Sequence, residues 1–258
     1  MRLLFIADAF GRPGRNLIEQ RLPELREHHG LDFVVANGEN LADGAGISAR
    51  GAQRLWAAGV DVITLGNHAF RQRDVYPLLN SDARIVRPAN MAAAAPGRGL
   101  TVCRSNSGAR LAVVNLMGSL YLDPVASPFA VAESLVAEAH DLAAVVVVDF
   151  HAEATSEKVA MGRLLDGRVT AVIGTHTHVQ TSDARILPGG TAYITDAGMT
   201  GPHDSVIGVR ADLILQRFQL GLPVRFEPAE GGVQLEGVIV DYGEDGRAGA
   251  IEAIRLAG

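Results

Sequence analysis

Apolar residues recur along this chain in short runs, and each run ends on a polar cluster. Leu3 to Ala7, Phe33 to Ala36, Val60 to Leu65, Ala144 to Asp149 and Val169 to Gly174 read as buried strands. Between them the pattern stretches to a helical period. Pro13 to His28 predicts a helix with proline in its first turn. Ser48 can cap a second helix that runs to about Ala58, where Gly59 stops it. Further helices fit Asp74 to Leu79, Ser127 to about His140, and Ser156 to Leu165. Hairpins fit Leu100–Arg104 with Arg110–Leu116 around Ser107-Gly108, and Arg185–Leu187 with Thr191–Thr195 around Pro188-Gly189-Gly190. Two more strands are expected near Gly232 to Tyr242 and Ala248 to Leu256.

Alternating strands and helices imply a mostly parallel sheet, and the later hairpins imply a second, more antiparallel layer. No repeat, low-complexity segment or long polar linker interrupts the pattern. The expectation is one domain over residues 1–258, α/β in class, with two packed sheets flanked by helices.

Composition narrows the function. The chain has 258 residues, of which 48% are hydrophobic, and this predicts a sizeable core that needs no staples. The lone Cys103 can form no disulfide within the chain and fits a reducing, cytoplasmic setting. Asp8 cuts off the short apolar start, so no signal sequence is expected, and no apolar run approaches the ~20 residues of a membrane span. A net charge of −6 with scattered arginines disfavours extended nucleic-acid binding, though a small phosphate ester stays open. Gly11-Arg12-Pro13-Gly14 lacks the three-glycine dinucleotide fingerprint.

The chemistry lies in the polar clusters: Asp8, Gly38-Glu39-Asn40, Gly66-Asn67-His68, His151 and His176-Thr177-His178. Sites in α/β sheets form outside the carboxyl ends of strands, so these residues are expected to converge at one sheet edge. Two carboxylates, two amides and four imidazoles can hold two metal ions. Mixed nitrogen and oxygen donors without thiolate suit iron, manganese or zinc. Glu39 can bridge two ions, and His176 and His178 can diverge to separate ions if they lie on a turn. Taken singly, each residue has a plainer reading as a cap, turn or core group. His28, His29 and His140 end predicted helices and are read as structural. His203, in a glycine-rich loop, could approach a phosphate.

In order, these clusters resemble a calcineurin-like metallophosphoesterase, and more narrowly its YmdB-like branch. The branch features are Ala36-Asn37-Gly38-Glu39-Asn40, Gly174-Thr175-His176-Thr177-His178-Val179-Gln180-Thr181 and Thr195-Asp196-Ala197-Gly198-Met199-Thr200-Gly201. The wider superfamily has Asp-x-His where this chain has Asp8-Ala9-Phe10, and Gly-Asp where it has Gly38-Glu39. Asn40 is the candidate for the missing ligand.

The resemblance implies a four-layer α/β/β/α sandwich and two metal ions, iron (Fe2+/Fe3+) or Mn2+ first and Zn2+ next. It assigns one ion to Asp8, Glu39, Asn40 and His178, and the other to Glu39, Asn67, His151 and His176, with the two last histidines interchangeable at this stage. It implies attack by a metal-bridging hydroxide with His68 as general acid, opening 2′,3′-cyclic nucleotides to 3′-phosphomonoesters. Two rivals remain: a phosphomonoesterase or phosphoprotein phosphatase on the same metal pair, and a regulatory or scaffolding module with vestigial activity that binds metal and a nucleotide or RNA-processing partner. A symmetric homo-oligomer is the general expectation.

Overall fold

The computed structural model describes residues 1–258. In chain order the elements are β1 (Arg2–Ile6), β2 (Asp8–Ala9), α1 (Gly11–His29), β3 (Phe33–Asn37), α2 (Ala49–Ala58), β4 (Val62–Thr64), α3 (Tyr76–Ser81) and β5 (Ile85–Val86). There follow β6 (Leu100–Arg104), β7 (Arg110–Met117), α4 (Pro128–Leu142), β8 (Val145–His151), α5 (Thr155–Leu164) and β9 (Ala171–Thr175). The last are β10 (Arg185–Ile186), β11 (Ala192–Ile194), β12 (Met199–Pro202), α6 (Ala211–Leu220), β13 (Val233–Tyr242) and β14 (Ala248–Ala257).

The strands form two mixed sheets. One runs β2-β12-β13-β1-β3-β4-β5, with β14 on the other side of β13; the second runs β10-β11-β9-β8-β7-β6. Side-chain alternation explains the layering. Leu4 and Ile6 of β1 face α1 and α2 in one core, with Leu17, Ile18, Leu22 and Leu55. Leu3, Phe5 and Ala7 point the other way, meeting Val145 and Val147 of β8 between the sheets. Val146 and Val148 face Ala132, Val136 and Met161 on α4 and α5. Three apolar interlayers therefore separate four layers, an α/β/β/α sandwich.

The expected hairpins both form, as β6–β7 and β10–β11. Ser48 caps α2 by accepting from the Gly51 N–H at 3.0 Å, and Gly59 ends it in the left-handed region. One expectation needs correction. The second sheet is not the more antiparallel one: β7, β8, β9 and β11 are parallel neighbours, since α4 and α5 carry the chain back between β7, β8 and β9, and β10 turns it back before β11. The tail strands instead add antiparallel pairs to the first sheet. Sequence reading also omitted β2, β5, β12 and α6.

The omitted β12 shapes the site. β1 pairs with β13 as far as Ile6↔Gly237. At Asp8 the chain leaves β13 and pairs with Met199 of β12, which takes over the β13 edge at Gly201↔Gln234. Asp8 thus stands at a fork in the sheet, fully buried. No helix is long and apolar enough to cross a membrane.

Candidate metal centre

All eight predicted residues meet at one place, but not at the edge of one sheet. Asp8 opens β2, and Glu39, Asn40, Asn67 and His68 follow strands of the first sheet, whereas His151 ends β8 and His176 and His178 follow β9 in the second. The centre spans the seam between the carboxyl ends of both.

Two groups of donors overlap at Glu39. In the first, His151 Nε2 lies 3.0 Å from Asn67 Oδ1, 3.1 Å from Glu39 Oε1 and 3.0 Å from His176 Nδ1. Donor atoms of Glu39, His151 and His176 all fall within 4.8 Å of one another. In the second, Asn40 Nδ2 lies 3.3 Å from Asp8 Oδ1, 3.4 Å from Glu39 Oε1 and 3.0 Å from His178 Nε2. Asn40 Oδ1 faces His68 Nδ1 at 2.9 Å. Gly66 permits this crowding: a Cβ there would collide with the Glu39 carboxylate and the His151 ring.

The two histidines of the His-x-His pair part because both occupy the left-handed region, with φ of 104° at His176 and 63° at His178. Such backbone is costly for residues with a Cβ and persists where surroundings enforce it. Here the enforcer is Asp196, fully buried, which accepts from the Thr177 N–H at 3.0 Å and the Thr177 hydroxyl at 2.8 Å. Buried Lys158 pairs with the same carboxylate at 2.6 Å.

Each of the three imidazoles is anchored on its outward nitrogen. Thr175 Oγ1 lies 2.9 Å from His151 Nδ1 and donates its own proton to Asp149 at 2.7 Å. The Ile207 carbonyl lies 2.9 Å from His178 Nδ1, and Glu153 Oε2 3.0 Å from His176 Nε2. The inward nitrogens, His151 Nε2, His176 Nδ1 and His178 Nε2, all turn toward the carboxylates and amides. Outer partners that fix the tautomer in this way are the usual support of metal-ligating histidines.

Electrostatics agree with a cation at the centre. Burial opposes ionisation of Asp8 and Glu39, yet His178 beside Asp8 and His151 beside Glu39 hold both carboxyls below the usual range. Burial would lower His151, but the Glu39 and Asp8 carboxylates outweigh it and lift His151 to about 9. Burial and then the His151 charge push His176 down to about 3. A neutral His176 can still donate Nε2–H to Glu153. One proton on His151 therefore serves Glu39, Asn67 and His176 together, and it can satisfy only one of them well. Three oxygen and nitrogen lone pairs around 3 Å from a fourth fit a metal ion better than a proton.

Phe10, where the wider superfamily keeps a histidine, is buried edge-on to His178, with ring centroids 5.6 Å apart, and packs against Gly208. His68 is half-buried; burial lowers its pKa while Glu39 opposes the shift. His203 lies outside the cluster, its Nε2 3.1 Å from the Met199 carbonyl. His28 and His29 sit in the last turn of α1, and His140 binds the Arg168 carbonyl, as the helix-end reading requires. Thr175 and Asp196 lie in the branch motifs, but their roles, like those of Asp149, Glu153, Lys158 and the Ile207 carbonyl, come from the structure. Asp149 carried a signal, being a carboxylate inside an all-apolar strand run.

Comparison with known proteins follows the same line. Residues 4–254 match the family profile described as YmdB-like protein. A Bacillus subtilis (strain 168) protein named 2′,3′-cyclic-nucleotide 2′-phosphodiesterase is 47% identical over 241 residues, 93% of this chain and 91% of that protein. Among solved structures, a hypothetical protein from Thermus thermophilus superposes with a TM-score of 0.94 at 42% identity, covering 100% of this chain and 99% of its own. A structure described as a novel phosphatase of Mycoplasma pneumoniae gives a TM-score of 0.93 at 37% identity, covering 100% of this chain and 93% of its own.

Proposed function

The chain belongs to the YmdB-like protein family and is a phosphoester hydrolase, and from that premise we propose that it is a dinuclear-metal phosphodiesterase that opens 2′,3′-cyclic nucleotides to 3′-phosphomonoesters. The observation that carries the reading is the pair of donor groups sharing Glu39, with each histidine's outward nitrogen tied down. The B. subtilis relative's name supplies the substrate class. We take residues 1–258 as one metallophosphoesterase domain.

Asp8, Glu39, Asn40 and His178 would hold one ion, and Glu39, Asn67, His151 and His176 the other. Iron or manganese suits this nitrogen and oxygen set, with zinc next. For Asn40 to ligate through oxygen, its amide makes a half-turn that exchanges Oδ1 and Nδ2, which ordinary side-chain geometry leaves equivalent in shape. As the acid His68 carries a proton on each ring nitrogen, with Nδ1 3.5 Å from the Glu39 carboxylate and Nε2–H left for the substrate. When bound, the ions supply an activated water and neutralise phosphate charge.

The chain's own residues do the rest. His68 gives a proton to the leaving 2′-oxygen as the P–O2′ bond breaks. Thr175 and Asp149 hold the His151 tautomer, and the Lys158–Asp196 pair fixes the turn that separates His176 from His178.

The test is metal analysis together with product identification. Wild-type protein is expected to hold two ions and to yield the 3′-monophosphate, and Glu39→Gln to lose metal at both positions. Unchanged stoichiometry in Glu39→Gln would remove its bridging role. Faster turnover of p-nitrophenyl phosphate than of bis-p-nitrophenyl phosphate would replace the reading by a phosphomonoesterase.

A further inference from the structure

A cavity of about 500 Å³ opens beside Asn67, at the border of the metal centre. Three segments wall it. The turn after β4 brings Asn67, Phe70 and Arg71; the loop after β5 brings Met91; the loop after β7 brings Asp123 and Val125.

Both loops lack regular structure, yet buried polar side chains fix their shape. Arg87 is 4% exposed and forms no salt bridge. Its guanidinium donates to the carbonyls of Pro88 at 2.8 Å, Ala95 at 3.3 Å, and Ala92 and Pro96 at 3.4 Å, all within the first loop. Buried Asn90 ties that loop to both ends of the next, donating to the Met117 carbonyl at 2.7 Å and the Ala126 carbonyl at 2.9 Å. Buried Glu157 accepts from the Ser119 N–H and hydroxyl and from the Leu120 N–H. Burying ionic groups is expensive, so spending Arg87 and Glu157 on two loops marks those loops as preorganised. Fixed loops beside a reactive centre are where substrate selectivity is built.

The lining has the chemistry of a flat heteroaromatic ring. Phe70, Met91, Met117 and Val125 offer aromatic, thioether and branched apolar surface. The volume lies in the range of ligand pockets. Arg71 and Asp123 carry charges that pair with no other side chain in the protein. Arg71 follows His68 closely, its N–H donating to the His68 carbonyl at 3.0 Å. A carboxylate without a partner suits the amino edge of a base.

We propose that this cavity is the nucleobase subsite, with Asp123 accepting from an exocyclic amino group and Arg71 on the phosphoryl side. The inference rests on the phosphodiesterase reading above.

The full-length protein and Asp123→Ala, a change at an exposed residue, are assayed on three substrates. These are 2′,3′-cyclic AMP, the 2′,3′-cyclic phosphate of purine riboside (no amino group), and methyl ribofuranoside 2′,3′-cyclic phosphate (no base). For the wild type, kcat/KM is expected to fall about tenfold without the amino group and about a hundredfold without the base, mainly through KM. Asp123→Ala is expected to lose about tenfold on cyclic AMP alone. Equal wild-type kcat/KM with and without a base overturns the subsite and leaves the phosphodiesterase reading standing, as does an Asp123→Ala loss shared by all three substrates. Failure of the wild type to open any of the three overturns both.

Discussion

Replacing Lys158 by methionine removes one half of an ion pair that lies almost wholly out of solvent, Lys158 at 1% and Asp196 at 0% exposure. The methionine fills similar space, so the loss is electrostatic. Removing one partner of a buried pair costs about 3–5 kcal/mol, because the remaining charge is left uncompensated. Asp196 keeps three donors, the Thr177 N–H and hydroxyl and the Gly198 N–H at 2.9 Å, which places the cost near the lower end. At about 2–4 °C per kcal/mol for a chain of this size, the melting temperature is expected to fall by roughly 6–12 °C. A second readout separates position from bulk stability. Thr177 joins two histidines held at positive φ, so a loosened Asp196 relaxes the turn, and metal affinity is expected to drop about 10–100-fold, as for other outer-partner losses. Adding Asp196→Asn removes the orphaned charge and keeps an oxygen for Thr177, so the double variant is expected to be more stable than Lys158→Met alone. Urea unfolding and a competitive metal titration measure both effects. An unchanged urea midpoint in Lys158→Met, or a double variant no better than the single, would refute the account.

Three further outcomes are expected. His68→Ala keeps two ions by elemental analysis but loses about 10²–10⁴ in kcat on cyclic nucleotides; full activity would end its acid role. In the metal-stripped protein His151 keeps its proton to about pH 9, so below that pH an incoming cation must displace it. Apparent affinity for manganese is then expected to fall about tenfold per unit as pH drops from 8 to 6, and a flat profile in a chelator competition would contradict this. Burial, with a smaller effect from Asp61, pushes the Cys103 thiol up to about 12. Native protein at pH 8 is therefore expected to react with iodoacetamide on the order of a thousandfold slower than unfolded protein; similar rates would show the thiol is accessible and ionised.

Much of the architecture was legible because strands such as Val145 to Val148 are continuous β-branched runs set between helical patterns; which valine faces which core is seen only in the fold. β12 was not, since Met199-Thr200-Gly201-Pro202 has weak strand propensity and exists as a strand because β2 and β13 flank it. α6 was also missed: its apolar residues Leu215, Phe218 and Leu220 are exposed and only Ile214 is buried, so no single face directs it. The eight site residues were found because each interrupts or ends an apolar run. Their division into two groups came from the family resemblance and was not legible in the residues themselves. It depends on the positive φ of His176 and His178, on two sheets rather than one meeting at the centre, and on Asp196, which is eighteen positions beyond His178 in sequence and shows no motif spacing to it.

The fork at Asp8 has a consequence for biosynthesis. Arg2 and its cross-strand partner Asp241 stand 239 positions apart, and Asp8 waits for β12 as well. While the polypeptide is still emerging from the ribosome, one flank of β1 has no hydrogen-bonding neighbour, and it gains one only once β13 has been translated. Long-range closure of this kind is slow and leaves a bare strand edge in the meantime. The nascent chain thus passes through a stage in which one edge of its first strand is unpaired, and that edge closes only when the β13–β14 hairpin arrives.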